Sequence, residues 1–198
     1  DPLPTVQING IVWTQVVVGN TVYAGGKFST ARPAGAAPGE STVPRSNLLA
    51  FDIRTGELIK SFAPKVNGTV RSLAVSPDKK TLYFGGSFTA VNGKKRARFA
   101  AVTSSGGSLR SLAPAFNDEV RAIVPTRSTV YVGGQFTKIG KTPRSRLAAL
   151  SPKTGKLRAW KPAANGYVYT LTLTPDRKAL VAGGNFSNIG GQSRRQLA

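Results

Sequence analysis

Residues 129–140 read TVYVGGQFTKIG. Thr129 to Val132 are β-branched and aromatic, the composition of a buried strand. Gly133 and Gly134 then interrupt the run, although a glycine costs backbone entropy and packs nothing. A single doublet would read as a bulge, but the same doublet recurs at Gly25-Gly26, Gly85-Gly86 and Gly183-Gly184, in TVYAGGKFS, TLYFGGSFT and ALVAGGNFS. Successive doublets are 60, 48 and 50 residues apart. The long first interval contains ARPAGAAPGESTVP (31–44), a Pro/Gly/Ala-rich loop insertion. Removing about a dozen residues there restores a common period, the mark of a repeat architecture.

The rest of the unit repeats with the doublet. An arginine opens RSNLLAFD (45–52), RARFAAVT (96–103), RSRLAALS (144–151) and RRQLA (194–198). A turn and a leucine follow in RTGEL, SGGSL and KTGKL, and then SFAPKVNGTV, SLAPAFNDEV and AWKPAANGYV. The N-terminal LPTVQINGIV matches the end of that last element.

Each unit reads as four short strands. In the second unit these are Val70 to Val75, TLYFGG (81–86), FAAVT (99–103) and SLRSLAP (108–114). Ser-Pro-Asp at 76–78 supplies the turn of the first hairpin, with Pro and Asp where a tight reversal favours them. Asn-Gly pairs at 67–68 and 165–166 turn the chain into the next unit. The first hairpin varies in length only at its turn: Val70 to Gly85 and Val168 to Gly183 are 15 residues apart, Val12 to Gly25 and Val120 to Gly133 are 13.

Four strands per unit without an amphipathic helix predict an all-β chain, a β-propeller with four-stranded antiparallel blades. A β-sandwich would not require a strict internal repeat. The blades fall at about 1–62, 63–112, 113–160 and 161–198, the last truncated within its third strand. About three and a half to four blades are therefore present in a single propeller domain or fragment, against roughly 4–8 in a closed ring. An open ring leaves bare strand edges, so the missing blades are expected from further chain or from a partner. On this reading the doublets end inner strands and give clearance to the neighbouring blade. Phe28, Phe88, Phe136 and Phe186, two residues beyond each doublet, fill the space between blades.

At the doublet, the arginine and the turn, the pattern resembles the delta-60 type of β-propeller repeat, and more loosely kelch repeats. The stretch VYVGGQFTKIGKTPRSRLAALSPKTGKLRAWKPAANGYV (130–168) carries the likeness, with Trp160 and Leu112 standing where phenylalanine is usual. The resemblance implies a secreted or cell-surface propeller within a larger extracellular protein, and no defined activity.

The chain has no histidine and no cysteine, which removes Ser-His-Asp and cysteine nucleophiles and the usual zinc and copper ligands. Its eight acidic residues are spread over turns, the insertion and the terminus: Asp78 and Asp176, Asp52 and Glu57, Glu40, Asp1, and Asp118 with Glu119 in a blade-to-blade turn. No pair recurs as a glycosidase dyad, and no Asp-rich calcium loop is present. The doublets end strands rather than opening helices, so they are not phosphate loops. No catalytic residue, cofactor or metal site is assigned.

Net charge is +20, from 28 Lys and Arg against eight Asp and Glu. Such an imbalance fits either an anionic partner or a plain soluble surface. Arg45, Arg96, Arg144 and Arg194 hold one position per unit, with Arg98 and Arg146 two residues beyond the second and third. They are the candidate ligand-binding residues, as a basic ring supported by Lys94, Lys95, Lys138 and Lys141. The competing role is structural, in which each guanidinium ties loop carbonyls together. With the aromatics assigned to the core, stacking platforms are absent and no specific nucleic-acid binding is expected. No apolar run approaches a membrane span.

The chain begins DPLPTV and lacks methionine, so either a leader has been removed or it is part of something longer. The favoured function is a non-enzymatic, secreted or cell-surface scaffold for binding or adhesion, with an anionic cell-wall or matrix polymer such as an acidic polysaccharide as partner. The alternatives are a propeller lyase or hydrolase acting on an acidic polysaccharide, and a protein–protein module that caps or inhibits a secreted partner.

Overall fold

The β-branched and aromatic runs do become strands, and no helix separates them. A computed structural model describes residues 5–198. Asp1 and the Leu3–Pro4 start of the N-terminal match lie outside the described residues. The described chain is all β, with antiparallel pairing throughout. Three sheets repeat one design: Ile11–Val18, Thr21–Lys27 and Leu48–Asp52; Val70–Val75, Thr81–Gly86 and Phe99–Thr103; Val120–Pro125, Val130–Gly134 and Leu147–Leu150. A fourth sheet holds Val168–Leu173 and Leu180–Gly184, with Leu197 joined by one bridge to Gly183. These are the blades of a β-propeller whose ring is open.

The doublet strand is not the inner one. It lies at the centre of each three-stranded sheet. The first strands of successive blades pack against one another and form the inner rim. The fourth predicted strand is also shorter than expected. In each complete blade it is a single bridge, Phe51 to Leu58, Val102 to Leu109 and Leu150 to Leu157. The segment pairs only briefly because it then crosses to the next blade, and Pro64, Pro114 and Pro162 cannot donate to a ladder.

That crossing segment forms a wedge in the joint between blades. Phe62 is buried and meets Tyr23 of the preceding blade edge to face at 5.1 Å, and Trp160 meets Tyr131 at the same distance. Core clusters accordingly span two blades rather than filling one. Tyr23, Leu48 and Ala50 pack with Val70, Phe84 and Phe88. Tyr83, Phe99 and Ala101 pack with Val120, Val132 and Phe136. Phe28, Phe88, Phe136 and Phe186 are all buried core residues.

The asparagines before each blade do more than turn the chain. The side-chain oxygen of Asn67 accepts from the amides of Thr89 and Ala90, and Asn9, Asn117 and Asn165 repeat the pattern with their own blades. These contacts tie the small hairpins Ala90–Val91/Lys94–Lys95 and Lys138–Ile139/Thr142–Pro143 to the turns that open the first strands. In the first blade the 31–44 insertion lengthens this hairpin, and its end returns to pair Val43 with Ala31.

Candidate functional site

The arginines singled out by the repeat point into the scaffold. Arg45 donates to the carbonyls of Pro44 and Lys60, Arg96 to those of Lys95 and Arg110, and Arg144 to those of Pro143 and Arg158. The guanidiniums of Arg45, Arg96 and Arg144 thus bridge their own hairpins to the crossing segment. Arg194 donates to the Ser193 carbonyl, the equivalent of the first of these two contacts. Arg45 is buried, and its guanidinium pKa is lowered by desolvation. Arg98 donates to the carbonyls of Ser87 and Phe88, and Arg146 to that of Gln135.

Asn47, Arg98, Arg146 and Gln196 share one position and one left-handed backbone, with φ between 65° and 68°. Asn47 suits it because a short polar side chain tolerates that region, and its amide accepts from Phe28 N while donating to Val66 O. Periodicity shows the shared position of Arg98 and Arg146 but carries no sign of its left-handed backbone.

The two glycines of each doublet have separate tasks. A Cβ on Gly25 would lie 2.5 Å from Val70 Cγ1, and one on Gly133 would lie 2.7 Å from Val168 Cγ1. Gly85 faces Val120 in the same way. Each of these valines opens the first strand of the following blade. The second glycine, Gly26, Gly86, Gly134 or Gly184, instead faces the backbone of its own first strand. There the register slips by one residue, between Val12 and Thr14, Val70 and Ser72, Val120 and Ala122, and Val168 and Thr170.

That bulge residue creates a feature the sequence reading did not find. Trp13, Arg71, Arg121 and Tyr169 are the bulged residues of the four blades. The Arg71 guanidinium lies 4.4 Å from the Trp13 ring centre, and that of Arg121 lies 5.4 Å from Tyr169. Between them stands Glu119, whose Oε1 accepts from Arg71 Nε at 3.1 Å while Oε2 meets Arg121 Nη2 at 2.6 Å. The row continues through Tyr167, 6.3 Å from Tyr169, to Arg146, 4.9 Å from the Tyr167 ring. Trp13 is 51% exposed and Tyr169 43%. The expectation that stacking platforms are absent is therefore corrected. These aromatics stay at the surface because a bulge re-aims its residue away from the packed faces of the blade.

Glu119 is likewise more than a turn residue. It is buried, with each oxygen held by a guanidinium, so it fixes two cations side by side that would otherwise repel. The signal available in the sequence was the position directly after the valine that follows each Asn turn, where Trp13, Arg71, Arg121 and Tyr169 fall in register; without knowledge of the bulge it reads as an ordinary strand position.

The remaining acids are local. Asp52 pairs with Arg54, whose hydrogen bonds lower its pKa to about 2. Asp78 is lowered by the Ser76 hydroxyl and Asp176 by that of Thr174, each stabilising the hairpin turn. Among the described residues no three acidic side chains converge as a metal site.

No family model matches the sequence, and no curated protein matches it. Solved structures share the fold. A computationally designed protein, Ika4, is similar with a TM-score of 0.62 at 14% identity, over 96% of each chain. The WD40 β-propeller domain of Doa1 is similar with a TM-score of 0.59 at 15% identity, over 89% of this chain and 48% of that one. U3-55K gives 0.61 at 11% identity, over 92% of this chain and 50% of that one. The chain thus spans about half the length of these last two structures.

Proposed function

We propose that this chain is a non-enzymatic binding scaffold, secreted or displayed at a cell surface, whose bulge face takes an anionic polymer of the cell wall or matrix. A propeller is well suited to the scaffold role, since rigid blades hold side chains from separate repeats at one level. The observation that carries the ligand class is the row Trp13, Arg71, Glu119, Arg121 and Tyr169, where half-exposed aromatic rings flank two guanidiniums paired through Glu119. A sugar ring stacks on an aromatic face, and a carboxylate or sulfate takes the guanidinium donors. Lys94, Lys95 and Lys138 lie on the hairpins tied to Asn67 and Asn117, the turns that open the first strands, and add to the long-range attraction of a +20 chain.

The test is binding to polygalacturonate and heparin, with neutral dextran as control. Retention on the acidic polymers is expected to persist at about 0.5 M salt, where the pure charge contribution is screened. Trp13→Ala and Tyr169→Ala should each weaken it roughly 2–10-fold. Binding that vanishes with salt and ignores both substitutions would reduce the interaction to net charge and overturn the reading.

A further inference from the structure

Tyr23 and Tyr83 hold the same position in the first and second blades, two residues before the doublet. The joint at Tyr23 is sealed, because its hydroxyl donates to the Ser104 carbonyl of the second blade at 2.7 Å. Ser104 is itself held on the adjoining hairpin turn. Its amide donates to the Lys80 carbonyl and its hydroxyl to that of Lys79. In the third blade Pro152 stands where Ser104 stands in the second, and proline has neither an amide hydrogen nor a hydroxyl to make those ties. The carbonyl equivalent to that of Lys80, on Ser128, is left to the Arg158 guanidinium. Without the ties the loop leaves the Tyr83 hydroxyl unpartnered among the described residues. The Tyr83 side chain cannot turn away, since the residue is 3% exposed and belongs to the core cluster with Phe99, Val120 and Val130. It lines a cleft of about 440 Å³ between the turns of the second and third blades, within the roughly 300–1,000 Å³ of small-molecule sites.

We infer that this cleft binds a single sugar-acid unit, a small monocarboxylate that also carries hydroxyls, through Tyr83, Arg127, Lys153 and Asp78. Tyr83 is a neutral donor, with its pKa held above 10.0 by burial and by the charge of Asp78. Arg127 and Lys153 line the same cleft and form no ion pair among the described residues. A carboxylate takes all three donors, and hydrogen bonds to an ionised acceptor are the stronger kind. Asp78 supplies the one carboxylate of the cleft. Its Oδ1 accepts from the Ser76 hydroxyl and the Lys80 amide, which leaves Oδ2 to accept from a ligand hydroxyl. Two cations and one carboxylate leave a single positive charge, which a monoanion neutralises. A dianion such as phosphate would set a second negative charge against Asp78. Pro77 and Pro152 line the cleft as its apolar part, suited to the C–H face of a sugar ring.

The cleft and the bulge row are separate. Ser76 follows the strand Val70–Val75, whereas Arg71 stands at its start, so the two sites lie at opposite ends of the blades. Trp13→Ala should leave binding at the cleft unchanged, and the two readings fail separately.

The experiment is titration of the isotope-labelled chain with D-galacturonate, followed by amide shifts, with galactose, acetate and inorganic phosphate in parallel. Saturable shifts are expected at Asp78, Arg127 and Lys153, with galacturonate binding at least about tenfold more tightly than each of the other three. Tyr83→Phe should weaken galacturonate roughly tenfold or more, as loss of a hydrogen bond to a charged group does, and should leave the melting temperature unchanged because the hydroxyl holds nothing in the protein. Lys153→Ala, at an exposed turn position, should weaken galacturonate and leave galactose unaffected. The absence of shifts at these amides, shifts confined to the bulge row, or phosphate bound as tightly as galacturonate would each overturn the proposal. So would a fall in melting temperature for Tyr83→Phe with galacturonate binding intact, which would mean that the protein itself takes the hydroxyl. If Tyr83→Phe unfolds, Lys153→Ala and Arg127→Ala, both at exposed turn positions, decide it.

Discussion

At Gly133 a methyl group would sit 2.7 Å from Val168 Cγ1, with Leu171 next nearest at 3.2 Å. Both partners belong to the next blade and are buried, so the neighbour has little room to yield. Gly133→Ala should cost about 1–3 kcal/mol of stability, as other overpacked sites do. Val168→Ala should restore much of that loss, because it removes the methyl that the new Cβ meets. A double-mutant cycle in chemical denaturation would then show coupling of at least about 0.5 kcal/mol, and strict additivity would mean the glycine serves its own strand alone. The sequence made this residue visible through its four-fold recurrence. It did not separate the two glycines, since their different neighbours depend on a register slip that has no residue signature.

Among the elements, the crossing segment is the least self-sufficient. It pairs with its own third strand through one bridge and with the next hairpin through another, and an arginine fork ties the stretch between them. Arg45→Ala should therefore lose about 1.5–3 kcal/mol, the usual range for hydrogen bonds to a charged group, and should expose the amides of residues 58–62 to hydrogen exchange first. Arg45→Lys keeps the charge but cannot span both carbonyls, so it should recover little of the loss. Full recovery with lysine would contradict the riveting role. The repeat marked these arginines, and only the carbonyls that Arg45, Arg96 and Arg144 reach show what they hold. The bulge row escaped for the converse reason: Trp13, Arg71, Arg121 and Tyr169 are chemically unlike, so no residue-type repeat draws attention to a position the backbone makes common.

Across the whole molecule, stability should be bounded by carboxyls on the acid side and by phenols on the alkaline side. Hydrogen bonding holds Asp52, Asp78 and Asp176 below their ordinary 3.8. Their contribution is complete above that value and is lost as pH falls through the lowered folded-state values. Burial raises Tyr23 and Tyr83 above 10.0. Their contribution is present below that value and is lost as pH rises through the raised folded-state values. Tyr23 also donates across a joint to the Ser104 carbonyl at 2.7 Å, so its ionisation should loosen two blades at once. Melting temperatures should form a plateau between about pH 4 and 10, the ordinary carboxyl and phenol values, and fall on both sides. Tyr23→Phe should lower the plateau and flatten the alkaline fall, whereas an unchanged alkaline limb would remove Tyr23 from the account.

Periodicity by itself determined the blade, the order of its strands and the core phenylalanines, because a repeated unit must bury the same face against the same neighbour each time. It also made the open ring legible, since an incomplete unit is countable. Tertiary structure alone decided which strand lies inside, that the fourth segment is a wedge, that the ring arginines turn inward to carbonyls, and that two aromatics and two arginines share one exposed row around Glu119. Those outcomes depend on a one-residue bulge and on the contacts between blades. A bulge reverses which face a side chain takes without altering the residues that flank it, so the surface it creates belongs to the folded backbone.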